Sequence, residues 1–204
     1  MTRHSERPRI DVCLGFDGST SSDWTGIRLE TYEGWLFTPR YGPDRLPTAW
    51  NPAVWGGRIP RHEVRAAMTE LYTTYRVERG YFDPRDWRTE IDEWALEFGS
   101  EHVSEWDTGG GSTRITVVHA MLERFVTDLT EGSLTHDGCP ITAVHVANAR
   151  KLAKPGEKYI LGKPSEDQKI DMAMASGLAH EAAADARAAG WQPTKTRKRM
   201  IVRR

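Results

Sequence analysis

The stretch "KIDMAMASGLAHEAAADARAAG", residues 169–190, decides how the rest of the chain is read. Helical steps from Asp171 reach Met174, Ala175, Leu178, Ala179 and Ala182, an apolar stripe that opens on a carboxylate. Burying an unpaired carboxylate costs on the order of several kcal/mol or forces it to protonate. Acids do suit the first turn of a helix, where the dipole is positive. Ser165 and Gln168, however, stand at capping-box spacing, and a helix capped at Ser165 would put Asp171 in its second turn. Asp171 is then either an acid near a helix start or an acid kept for chemistry, and the rest of the chain must choose.

With 204 residues the chain is long enough for one domain with a full core. A hydrophobic content of 38% with 28% charged residues places it among ordinary globular proteins. No apolar run approaches the ~18–20 residues of a membrane span, and no signal peptide follows "MTRHSERPRI". Cys13 and Cys139 show neither metal nor disulfide spacing, so a reducing compartment is expected and both read as core filler. Six of the last ten residues are basic and none is acidic, so the net charge of −1 divides into −7 on the first 194 residues and +6 on the tail. An acidic body argues against a protein that simply coats nucleic acid. It suits a carboxylate site that needs metal to meet phosphate, with the tail either meeting a polyanion or merely solvated.

Residues 1–9 read as a disordered lead, 10–192 as the domain and 193–204 as a basic tail. Val12, Leu14 and Phe16 alternate in a strand that stops at Asp17-Gly18-Ser19. "DWTGIRLET" and "GWLFTPR" follow as strands around a turn at Glu33-Gly34, which predicts an antiparallel meander. Residues 40–60 read as an ordered, irregular loop, in which Trp50 and Trp55 are candidates to touch DNA or a partner. A helix from Arg61 to Gly80, a short strand "GYFD", a helix through Trp87, Ile91, Trp94 and Phe98, and a strand "EHVSEW" come next. Ser112–Gly132 spaces Ile115, Val118, Leu122, Phe125 and Leu129 helically; a short helix, an extended "EKYILGK" and the final helix close the order. A meander followed by alternating helix and strand predicts an α/β fold with a mixed sheet covered on both faces.

Ligands of such sheets sit beyond the carboxyl ends of the parallel strands. Asp17 ends the first strand and Asp83 the fourth, and the two carboxylates converge if those strands are neighbours, as the right-handed crossover rule permits. Either acid alone also reads as a turn residue. With Asp171 they form a trio that cannot stay ionised together without a cation. Oxygen ligands select a hard cation, Mg²⁺ or Mn²⁺, and two such ions would suit phosphodiester hydrolysis. Lys163 and Lys169 flank the last acid as candidate phosphate contacts. His136 and His145 lack metal-ligand partners at usable spacing and read as structural.

The stretches "GFDGSTSSDWTGI", "GYFDPRDW", "GSLTHDGCPITAVHVANA" and "GKPSEDQKIDMAMASGLAHEAAAD", in this order, resemble the C-terminal nuclease domain of tailed-phage terminase large subunits, within the RNase H-like superfamily. The resemblance covers roughly residues 10–190, and the last two stretches are its most specific part. It implies an RNase H-like five-stranded mixed sheet, three antiparallel strands then two parallel, flanked by helices. It implies that Asp17, Asp83 and Asp171 hold metal, and on this reading Asp17 and Asp83 bridge or flank the ions while Asp171 completes the second site. The task implied is metal-dependent cutting of concatemeric viral DNA in the host cytoplasm, with a packaging ATPase, small terminase and portal as partners and no membrane. Some relatives carry adjacent acids at the last position. Here Met172 follows Asp171, and Asp167 one turn earlier is the only spare acid for a second site. Lys195, Arg197, Lys198 and Arg199 in the tail are further candidate DNA contacts.

No G-x-x-x-x-G-K-[ST] P-loop occurs, so the motor half of a terminase is missing from this sequence. Other RNase H-like nucleases, of resolvase or transposase type, use the same acids on different DNA. A non-catalytic module that grips DNA or a portal through the basic tail is the alternative from another class, and the retained acids speak against it. The weakest alternative is an actin/Hsp70-like ATPase, suggested by "DGST" at 17–20 and "DTGGGST" at 107–113 as phosphate loops. That fold needs a second lobe, and here "GGGST" runs straight into an amphipathic helix.

Overall fold

The alternation at Val12, Leu14 and Phe16 becomes strand β1 (Asp11–Asp17) in the computed structural model, which describes residues 9–109 and 111–194. Strands β2 (Thr25–Thr31) and β3 (Trp35–Phe37) follow it antiparallel, forming the meander. Three short strands, β4 (Arg40–Tyr41), β5 (Leu46–Pro47) and β6 (Ala49–Trp50), occupy the irregular region; β4 and β5 pair with each other, and β6 adds to β2. Helix α1 (Arg61–Thr74) leads to β7 (Arg76–Phe82), α2 (Arg88–Phe98) to β8 (Val103–Glu105), and α3 (Ser112–Glu131) to β9 (Thr135–His136). Helix α4 (Pro140–Asn148), the hairpin of β10 (Arg150–Lys154) and β11 (Lys158–Gly162), and α5 (Asp171–Ala188) complete the described chain.

The main sheet runs β8-β7-β1-β2-β3-β9. Its centre is the expected arrangement of a three-stranded antiparallel meander joined to two parallel strands, β7 beside β1 and β8 beside β7. With β9 at one edge and β6 on β2, seven strands form where five were expected. Both extra pieces are only two residues long, too short to leave a periodic signal.

Successive residues of β1 face opposite sides. Val12, Leu14 and Phe16 pack with Val64, Met68 and Leu71 of α1 and with Trp94 of α2. Cys13 joins the other core, made by α3 and α5 with Val118, Met121 and Leu178. Helix α5 lies so close to the sheet that a Cβ at Gly15 would strike the Ala175 carbonyl and the Ala179 backbone. The alanine-rich stripe read from the sequence is therefore the means of close approach, and it seats the N-terminus of α5 at the end of β1 that carries Asp17.

Four features differ from the sequence reading. Helix α1 stops at Thr74 and β7 already begins at Arg76, because Val77 and Tyr81 pair along β1 in parallel register. The stretch after α4 is a strand, β10, stabilised by its partner β11. Trp50 is buried, with its indole N–H donating to the Tyr41 hydroxyl at 2.9 Å, so it is core and offers no contact surface. The final helix starts at Asp171; Ser165 lies in a turn six residues upstream and does not cap it.

Candidate active site

Parallel pairing brings two acids together first. Phe16 and Phe82 stand in register, and the Asp83 N–H donates to the Phe16 carbonyl at 3.0 Å, so Asp17 and Asp83 leave adjacent strands side by side. Asp83 is buried and held at both oxygens: Oδ1 accepts from the Arg85 N–H at 3.0 Å, and Oδ2 accepts from the Thr108 hydroxyl. Thr108 comes from the loop after β8, the neighbouring parallel strand.

Asp171 arrives from above as the first residue of α5. The residue before it, Ile170, has no capping side chain; His145 of α4 substitutes, its Nδ1 accepting the Met172 N–H at 3.1 Å. His145 is buried edge-on against Trp24, and burial with the nearby Lys169 charge pushes its pKa down to about 4. Its Nδ1 lies 3.8 Å from Asp171 Oδ2, yet a neutral ring that accepts at Nδ1 cannot donate there. Asp171 Oδ2 is consequently buried without a hydrogen-bond partner among the described residues. The structural reading of His145 agrees with this capping geometry, while His136 is exposed and accepts the Gly138 N–H.

Asp17, Asp83 and Asp171 line one cleft of about 360 Å³. Burial raises Asp171 to about 6, with the Asp23 charge adding to it against backbone N–H donors. Burial, then the charges of Asp171, Asp83 and Asp23, hold Asp17 well above the usual carboxylate range. Asp23, also in the cleft, behaves oppositely. Burial pushes it up, but Lys163 at 2.7 Å and Lys169 at 2.9 Å outweigh that and lower it. The trio is thus a set of carboxylates whose burial and mutual repulsion outweigh the relief that Arg85 gives Asp17 and Lys169 gives Asp171. Among the described residues, no three acidic, histidine or cysteine side chains already form a metal-holding array. The orphaned Asp171 oxygen and the all-oxygen donor set nevertheless suit a hard divalent cation, whose charge would draw the carboxylates together.

Asp167 does not join the trio: it is exposed, lies upstream of the helix start, and is not part of the cleft wall. Lys163 lines the cleft, but both it and Lys169 are engaged by Asp23, which alters their expected role as free phosphate contacts. Lys195, Arg197, Lys198 and Arg199 lie outside the described residues. The sequence reading missed Asp23, Thr108 and Arg85. Asp23 had a signal, being the second acid of the loop that Asp17 opens; Thr108 was assigned to a phosphate-loop alternative.

No protein-family model matches the chain. It is 29% identical over 185 residues to the Gene 13 protein of Mycobacterium phage D29, and 28% to that of Mycobacterium phage L5. These alignments cover 85% of this chain but only 29% of those proteins, so the chain spans under a third of the curated relatives it matches. The large terminase nuclease of thermophilic phage G20c, solved with bound magnesium, superposes with a TM-score of 0.60 over 86% of this chain and 82% of that one, at 14% identity. The chain has the terminase-nuclease fold. The HK97 bacteriophage large terminase matches likewise, with a TM-score of 0.58 and 17% identity over 87% of this chain and 40% of its own. The terminase nuclease of G20c has also been solved with bound cobalt.

Proposed function

We propose that this domain is a divalent-metal-dependent DNA endonuclease that cuts concatemeric phage DNA during genome packaging. The observation that carries the reading is the buried, unpartnered Oδ2 of Asp171, a residue that lines a cleft together with Asp17 and Asp83 on a terminase-nuclease fold. Asp17, Asp83 and Asp171 would hold Mg²⁺ or Mn²⁺, the complement expected being two ions. When bound there, such ions neutralise phosphate charge and lower the pKa of coordinated water. Magnesium and cobalt bound to the G20c nuclease support this choice of metal class.

The chain's own residues supply placement. Thr108 and the Arg85 N–H fix the rotamer of Asp83 before substrate arrives. His145 closes the N-terminus of α5 without donating to Asp171, leaving that carboxylate free to face the cleft. Lys163 and Lys169 keep Asp23 ionised and neutralised, so it adds little net repulsion toward a phosphate. Double-stranded DNA is the substrate of this reading, with a packaging ATPase, small terminase and portal as partners in the host cytoplasm.

Incubating supercoiled plasmid with the protein in Mn²⁺, in Mg²⁺ and in EDTA tests it. Nicking and linearisation that need metal are expected. A folded protein inert with both metals would transfer the assignment to a non-catalytic docking module.

A further inference from the structure

Two cationic side chains line the acidic cleft, and their circumstances differ. Lys163 is consumed by Asp23 and Glu166, at 2.7 and 2.9 Å. Arg85 is exposed, and its guanidinium makes no ion pair or hydrogen bond among the described residues. The wall also contains Asp86 and Asp107, and neither carboxylate pairs with the Arg85 guanidinium among the described residues.

Its backbone, by contrast, is tightly held. Pro84 restricts the turn, the Arg85 N–H donates to Asp83 Oδ1, and the Trp87 N–H donates to the Pro84 carbonyl at 3.2 Å. Asp86 adopts a left-handed conformation, φ 63°, and its carbonyl accepts from Arg61 at 2.6 Å. Arg61 lies over the Trp87 ring, and the buried Trp87 donates its indole N–H to the Ser19 carbonyl at 3.1 Å, in the loop after Asp17. The turn is braced from both sides of the cleft while the charged end is left unspent.

We propose that Arg85 is a phosphate-binding residue: its guanidinium receives a backbone phosphate of the DNA strand lying in the cleft, beside the phosphodiester at the carboxylates. This rests on the nuclease reading above. A guanidinium presents forked N–H donors that match two phosphate oxygens, and a pre-placed backbone spares part of the ordering cost. In a body of net negative charge, a cation two residues from Asp83 also offsets the repulsion a phosphate meets on approach.

The test is duplex binding by fluorescence anisotropy in EDTA, as a function of salt, for wild type, Arg85→Ala and Arg85→Lys, with plasmid cleavage in Mn²⁺ run in parallel. Arg85→Ala should weaken binding about tenfold and flatten the slope of log K against log salt by about 0.9, the share of one phosphate. Arg85→Lys should restore the slope but only part of the affinity. All three proteins should melt closely alike, because the side chain has no hydrogen-bond or ion-pair partner among the described residues. Wild-type affinity and slope in Arg85→Ala, or no duplex binding by any of the three, would overturn the proposal. If wild type fails to cleave while Arg85→Ala still loses affinity and slope, the phosphate contact stands and the nuclease reading falls. If wild type cleaves and Arg85→Ala binds unchanged, the nuclease reading stands and the contact falls.

Discussion

Helix α5 carries two buried ionisable clusters with opposite fates. At its N-terminus, Asp171 is buried with an oxygen that nothing satisfies. Further along, His180 lies between Glu30 at 2.9 Å and Asp128 at 2.8 Å, and Arg187 places two guanidinium nitrogens at 3.0 Å from the other oxygen of the fully buried Glu30. Buried polar groups are ordinarily paired, and an exception calls for a reason. The Glu30 cluster is paired throughout and fastens α5 to β2 and α3. The Asp171 end gives up that pairing, and the unpaired carboxylate is where a cation would be gained. Under the proposed function, the same helix serves stability at one end and chemistry at the other.

That contrast can be broken most severely at Asp171. Asp171→Asn keeps the shape and removes the charge, so metal-dependent plasmid cleavage should fall about a thousandfold. Its metal-free thermal stability at pH 7 should not fall, since a buried unpaired charge is relieved. Cleavage near wild-type rate would remove Asp171 from the site. The reverse pattern is expected at the other cluster. Glu30→Gln should lower stability by about 3 kcal/mol in denaturant melts, because His180 and Arg187 lose their ionised partner, while cleavage per folded molecule persists.

Acid–base linkage sharpens the comparison with a smaller effect. Asp171 is raised to about 6 in the folded protein from an ordinary value of 3.8. Across that window the folded state binds more protons than the unfolded one, so metal-free stability should fall as pH rises from 4 to 6, by up to about 3 kcal/mol. The loss should be absent below the lower value and complete above the upper. Asp171→Asn should remove this component, and the difference between the two pH profiles measures it. Identical profiles would show that the carboxylate is not desolvated.

How much of this was legible in the sequence follows from the range of each interaction. The alternation of Val12, Leu14 and Phe16 and the helical spacing of Ile91 with Trp94 are local, and both elements form where that spacing places them. The crossover rule permits β1 and β7 to be neighbours, and their parallel pairing in the structure juxtaposes Asp17 and Asp83. The sequence leaves the start of α5 open between Ser165 and Asp171, because its cap comes from His145, on another helix, and the Ser165-to-Gln168 spacing is only a local imitation. The pairing of Asp23 with Lys163 and Lys169 joins residues about 140 positions apart, and no periodicity encodes it. Trp50 stands in the sequence as a candidate contact because its burial depends on Tyr41 and the addition of β6 to β2.

Under the proposed function, the unpaired end of α5 binds a cation. Calorimetric titration of Mn²⁺ into wild type, Asp171→Asn and Glu30→Gln near pH 6 examines it most directly. Wild type and Glu30→Gln should bind and release protons as the carboxylates ionise, and Asp171→Asn should bind far more weakly with less proton release. Equal Mn²⁺ affinity and proton release in wild type and Asp171→Asn would contradict it.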